Sequence, residues 1–368
     1  MNFFKGLTWD HPRGYKPLQA WAQLDDLVNV QWDIQKLEGF ESHPIDELAE
    51  KYDLLIVDNP GIGEAVEKNC LLPLESFLSL EQLDFLKKNS IGNSYESYRY
   101  GGQHWAIPID AASQVCALAG DIAKTPPITW DDVILLSKKS NQRIVLSLGG
   151  PHALLTFYSI CLSFGDLLFK DNRLIIKQEI AIHALSIMQN IYQQQDKSLI
   201  DLNPIGLLDA MAKGKIDICP AIFGYINYAD PSHSLPITFC DIPHAGQSIL
   251  RGSILGGTGL ALSSRCTPTP ELIQHIMGYV SESVQKNLVV DNEGQPANIA
   301  AWRDEYTNKQ TGNFLSSTFN TVSSAYVRPK YQGYIHRQDA GSKVIREGLK
   351  LGSHPEVIFA KIEQVFSL

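Results

Sequence analysis

The chain is expected to be an α/β protein built as two lobes. Its 368 residues exceed what one hydrophobic core usually organises. Its first sixty residues alternate strand and helix signals, and a glycine- and proline-marked stretch at 100–114 and a glycine-rich one at 253–262 interrupt the pattern as crossings between halves would. Composition is globular, at 44% hydrophobic and 19% charged residues. No apolar run reaches the ~18–20 residues that span a bilayer, so a membrane-inserted protein is not expected. A net charge of −9 supplies no surplus of cations for phosphates, so no nucleic-acid partner is expected.

Element by element, residues 3–8 read as a first strand, 17–27 as a helix, 28–36 as a second strand and 45–51 as a short helix. The apolar run 52–58, bounded by Asn59-Pro60-Gly61, reads as a third strand. This βαβαβ rhythm implies a mostly parallel sheet covered by helices on both faces, with ligands beyond the carboxyl ends of its strands. At 100–132, Gly101-Gly102 makes a hairpin turn, and Pro108 forces extended geometry on Ile107. A second strand follows, and then a helix opened by Thr129 with Asp132 three positions on, a capping box. Residues 143–148 read as a strand, and Gly149-Gly150-Pro151 opens an apolar helix to residue 164. A helix is expected over 180–192. Another is capped by Asn203-Pro204 and stopped by Lys213-Gly214. Residues 216–223 form a strand interrupted by Pro220. A return crossing at 253–262 precedes a helix over 270–286 and a turn at 292–297.

Six segments resemble, in order and at similar spacing, the family 1 extracellular solute-binding proteins, the binding components of ABC importers, many of them sugar-specific. They are YDLLIVDNPGIGEAVEKNCLLPLESFL, YRYGGQHWAIPID, PPITWDDVILLSKKS, LLDAMAKGKIDI, GGTGLALSS and NEGQPA. The resemblance implies a two-lobed periplasmic-binding-protein-like clamp, each lobe a mostly parallel sheet flanked by helices, with the ligand cleft between them. It implies an N-lobe of 1–109 and 256–304, a C-lobe of 114–250 and 308–368, and crossings near 109–114, 250–256 and 304–308. It also implies capture of a small polar ligand (sugar, sugar acid or other small carboxylate) by hinge closure, with ABC-transporter membrane subunits as partners. Residues 1–18 show no secretory leader. As it stands the chain is expected in the cytosol, and in the periplasm or outside the cell if a leader precedes it. The six cysteines are irregularly spaced and read as free buried thiols, with neither a metal site nor a cofactor expected.

The ligand-binding candidates follow from position. Trp9, Asp10, His11 and Arg13, after the first strand, bring together an aromatic face, a carboxylate, an imidazole and a guanidinium. Alternatively, Asp10 and Arg13 pair to fix the turn and Trp9 is core. Asp58 and Asn59 end the third strand and offer hydroxyl partners, or an Asx-turn ahead of Pro60. Asp110 lies on the crossing as a ligand contact or a strand-end cap. Gly150 presents backbone N–H groups, or only makes its turn. Phe223 and Tyr225 offer aromatic surface to a ligand, or to the core. Gly257 and Thr258 allow close backbone approach, and Arg328 sits in a polar-aromatic run that reaches the cleft rim or faces solvent. His11 and Arg13 make an acidic ligand the expected one. The alternative function is a cytosolic enzyme or sensor on the same clamp, with Asp10 and His11 as acid/base. Cys116, in an apolar run, reads as an inert thiol.

Overall fold

A computed structural model describes residues 2–36, 44–139, 143–245 and 252–367. Strands β1 (Phe3–Trp9), β2 (Asn29–Gln35) and β3 (Leu54–Val57) are parallel, with β1 between the other two. All four β3 residues are buried, which accounts for its unbroken Leu-Leu-Ile-Val run. The first helix is Pro12–Leu24, starting five residues before the sequence expectation. Pro17 is the proline that invites a start, but Pro12 occupies the first turn, where a missing N–H costs nothing. His11 caps it by accepting the Arg13 N–H at 3.2 Å.

Strands β4 (Arg99–Tyr100) and β5 (Gln103–His104) close a hairpin through Gly101 and Gly102, both at positive φ. The next strand, β6 (Ile107–Leu118), is one continuous, fully buried strand, not the two separated by a crossing that Pro108 and Asp110 suggested. The ladder absorbs Pro108 because the register shifts opposite it, between Thr258 and Gly259. Beyond the hairpin of β7 (Phe169–Lys170) and β8 (Arg173–Leu174) lie β9 (Ile218–Phe223), β10 (Thr238–Cys240) and β11 (Leu255–Leu262). The first half of β6 pairs antiparallel with β11, which also borders β3; the second half pairs antiparallel with β9 and β10. One strand therefore bridges the β11–β3–β1–β2 strands and the β9 and β10 strands. The second lobe adds isolated parallel bridges at Ile144–Ile218 and Thr129–His244.

Two sequence expectations are revised. The strand at 143–148 shrinks to the Ile144 bridge, because the Leu146 N–H is taken by the side-chain oxygen of Gln195 at 3.0 Å. The helix at 270–286 is two helices, Pro270–Tyr279 and Glu282–Lys286, because the Ser281 hydroxyl caps a fresh start by accepting the Val284 N–H at 3.4 Å. The capping box at Thr129 and Asp132 forms, as does the Asn203 cap. The helices Tyr334–Leu351 and Pro355–Phe366 share the second lobe's core with His152–Ser163 and Gln178–Gln194. Among the described residues, no helix is long and apolar enough to cross a membrane.

Gly257 lies on β11 at φ +100, where an added Cβ would stand 2.4 Å from the Asp110 carbonyl oxygen. Gly257→Ala is therefore expected to destabilise the protein by roughly 2 kcal/mol or more, read as a lower midpoint in urea unfolding.

Candidate functional site

The carboxyl end of β1 delivers Trp9, and the helix after it delivers Arg13. The Arg13 guanidinium lies 4.7 Å from the Tyr225 ring centre and 6.0 Å from that of Trp9. His11 stacks on Trp9 at 5.2 Å and meets Tyr225 edge-on at 4.9 Å. Arg13 Nε donates to Asp110 Oδ2 at 2.6 Å, its Nη2 to Asp110 Oδ1, and its Nη1 to the Gly224 carbonyl at 3.0 Å. Both partners are buried, so the pair is desolvated and two-pronged. Burial opposes charge on Arg13, but the Asp110 carboxylate outweighs it and raises the guanidinium above its usual range.

Beside this joint lies a cavity of about 450 Å³, in the size range of small-molecule sites. Its first-lobe wall includes Trp9, Arg13, Gln35, Asp46, Asp58 and Glu64, and its floor Gly256, Gly257 and Thr258 of β11. Facing them are Gly150, Pro151, His152, Phe223 and Tyr225, with His336, Gln338, Asp339 and Arg346 from the helix Tyr334–Leu351. Arg328 joins the two sides. Its Nη2 donates to both Asp58 oxygens at 3.2 and 3.0 Å, and its Nη1 to Gln338 Oε1 at 3.1 Å. The Arg328 Nε–H and the His152 Nδ1 are buried with no hydrogen-bond partner. Burial, then the Arg328 and Arg346 charges, lower the His152 pKa from 6.5 to about 3.

Of the residues expected from sequence, Trp9, Arg13, Asp58, Gly150, Phe223, Tyr225, Gly257, Thr258 and Arg328 line this cavity. Asp10, His11, Asn59 and Asp110 do not. Asp10 is exposed. The Asn59 N–H and amide donate to Asp58 Oδ1 at 2.8 and 3.3 Å, the local turn that precedes Pro60. Asp110 is engaged by Arg13, and His11 is packed between aromatic rings. Burial, then Arg13 and Lys16, lower the His11 pKa to about 3.

Two expectations lose their basis. An Asp10–His11 acid/base pair is not assembled, because His11 Nδ1 caps the helix and its ring is buried while Asp10 faces out. The case for an acidic ligand also falls, because His11 is neutral and the charge on Arg13 is matched by Asp110. The lining carries four carboxylates, Asp46, Asp58, Glu64 and Asp339, against three guanidiniums. Sequence reasoning did not find Glu64, Asp339 or Arg346, which reach the cavity only through the packing of helices, whereas His336 belongs to the polar-aromatic run with Arg328 that was expected at the cleft rim or facing solvent. His152 had a signal, since it follows the Gly150-Pro151 turn. Among the described residues, no group of three or more His, Cys, Asp or Glu is placed to hold a metal ion.

No protein-family model matches the chain, and no curated protein sequence does. Solved structures do. An ABC transporter solute-binding protein from Agrobacterium radiobacter K84 in complex with ribitol is 16% identical, with a TM-score of 0.82 over 99% of this chain and 97% of that one. Maltose-bound T. maritima MalE3 is 15% identical, with a TM-score of 0.83 over 100% and 99%. A solute-binding protein from Thermotoga lettingae TMO bound with α-D-tagatose is 14% identical, with a TM-score of 0.81 over 100% of both chains. The fold is the two-lobed clamp of ABC-transporter solute-binding proteins.

His11 and His152 are neutral in the folded protein down to about pH 3, whereas the unfolded chain protonates them from 6.5. Their contribution to stability is therefore complete above pH 6.5 and is lost as pH falls toward 3, at roughly 1.4 kcal/mol per pH unit for each histidine. Unfolding midpoints measured from about pH 7 down to 5 are expected to fall, and to fall less steeply for His152→Gln.

Proposed function

We propose that this chain is a solute-binding protein that captures a small, neutral, polyhydroxylated molecule, a polyol or short sugar, by closure of its two lobes. Delivery would be to the membrane subunits of an ABC importer. The observation that carries this reading is the cavity itself. Aromatic rings of Trp9, Phe223 and Tyr225 share its lining with nearly balanced charges and with Arg328 and His152, each of which also buries one polar atom, Nε and Nδ1, without a hydrogen-bond partner. Rings stack on the C–H faces of a sugar, and hydroxyls both donate and accept, so they suit an N–H donor and a neutral imidazole together. The ribitol, maltose and tagatose held by proteins of this fold support the same class of ligand.

In this reading the lobes comprise 1–109 with 256–304 and 114–250 with 308–368. The Asp58–Arg328 pair then spans the cleft, and the lobes move about the crossings near 109–114, 250–256 and 304–308. Residues 250 and 251 of the second crossing lie outside the described residues.

Calorimetric titration with ribitol, tagatose, maltose and a uronic acid tests the proposal. A neutral compound is expected to bind, and Tyr225→Ala to weaken it by roughly tenfold, the equivalent of about 1.4 kcal/mol. Binding of the uronic acid alone, or of none of the four, would overturn it.

A further inference from the structure

We propose that Cys116 and Cys240 form a reversible cross-strand disulfide when the protein meets an oxidising thiol pool. The two residues stand directly opposite each other in the antiparallel ladder of β6 and β10. Opposed residues in such a ladder have Cα atoms roughly 4.5–5.5 Å apart. That lies inside the roughly 4.4–6.8 Å that a disulfide spans. Their side chains also leave the sheet on the same face.

The packing singles out this pair. Cys116 belongs to the second lobe's core, and Cys240 packs against that same core. Cys219 is the near alternative, but its partner in the ladder is Ala117, and both pack in the core on the sheet's other face. Cys116 is fully buried, whereas Cys240 is part-exposed, so a reagent reaches the pair through Cys240. The neighbouring Cys240 thiol and burial both hold the Cys116 thiol above its usual range, in keeping with two sulfurs in close proximity.

The chemistry is ordinary exchange with a low-molecular-weight disulfide such as glutathione disulfide. The Cys240 thiolate attacks one glutathione sulfur, forming a mixed disulfide and releasing one glutathione. The Cys116 thiol then attacks the Cys240 sulfur and displaces the second glutathione, whose departing thiolate takes up the Cys116 proton. Two protein thiols are oxidised, and one disulfide is reduced to two thiols. The new bond ties β10 to β6, the strand that also pairs with β9 and β11. Neither cysteine lines the cavity, so this chemistry is read separately from ligand capture.

The test uses the full chain, equilibrated with excess glutathione disulfide, then denatured for thiol counting and peptide mapping without reductant. Four of the six thiols are expected to remain free. One linkage should join the peptides carrying Cys116 and Cys240, and dithiothreitol should reverse it. Cys240→Ser should keep all its remaining thiols free, and Cys116→Ser should stop at a glutathione adduct on Cys240. Six free thiols, a linkage to Cys219, or a stable adduct on Cys240 in the unmodified sequence would overturn the proposal.

Discussion

The buried Arg13–Asp110 pair is the contact on which the rest of this arrangement depends. It joins the helix after the first strand to β6, the strand that pairs with β9, β10 and β11, and through the Gly224 carbonyl it reaches the segment after β9 as well. Removing two charges from water is costly, and only close two-pronged geometry with further hydrogen bonds offsets that cost. Arg13 donates two bonds to Asp110 and a third to the Gly224 carbonyl. The Trp9 and Tyr225 rings flank the guanidinium and exclude water from it. The same two rings then form one wall of the cavity, so the structural joint and the candidate ligand surface are two sides of one cluster.

That sharing decides which chemistry the cavity offers. A free arginine in a cleft favours a carboxylate, but Arg13 is matched by Asp110 and Arg328 by Asp58. What remains toward the cavity is aromatic surface and a near balance of charge. Such a lining recognises rings and hydroxyls through geometry more than through net charge. Arg328 has a second consequence, since its bond to Asp58 ties the third strand's end to the segment leading into the helix Tyr334–Leu351.

The fold was legible in the sequence where local signals agreed with the global plan. The buried strand Leu54–Val57, the Gly101-Gly102 hairpin and the capping box at Thr129 each carry their own physical instruction. Reading failed where a tertiary partner overrode a local signal. Pro108 looks like a break but sits in a continuous strand, because the register with β11 shifts opposite it, leaving Ile109 as an extra residue on β6. The site was legible in its aromatic residues, which follow strand ends. Of its charges, Arg13, Asp58 and Arg328 were legible as residues, but their pairing was not. Nothing near Arg13 in sequence announces Asp110, and only their contact across nearly a hundred residues shows that both are occupied. Asp339 and Arg346 were equally hidden, since only the helix Tyr334–Leu351 brings them to the cavity beside His336.

The central claim is that Arg13 and Asp110 hold the joint and do not select the ligand. It is tested most directly by measuring stability and neutral-sugar affinity for Asp110→Leu and for Arg13→Met combined with Asp110→Leu. The single variant leaves a buried cation unmatched and is predicted to lose roughly 3–5 kcal/mol of stability. The double variant is predicted to recover most of that loss and to keep its affinity for the sugar. A double variant that is stably folded but no longer binds would contradict the account, because Arg13 would then be a ligand contact.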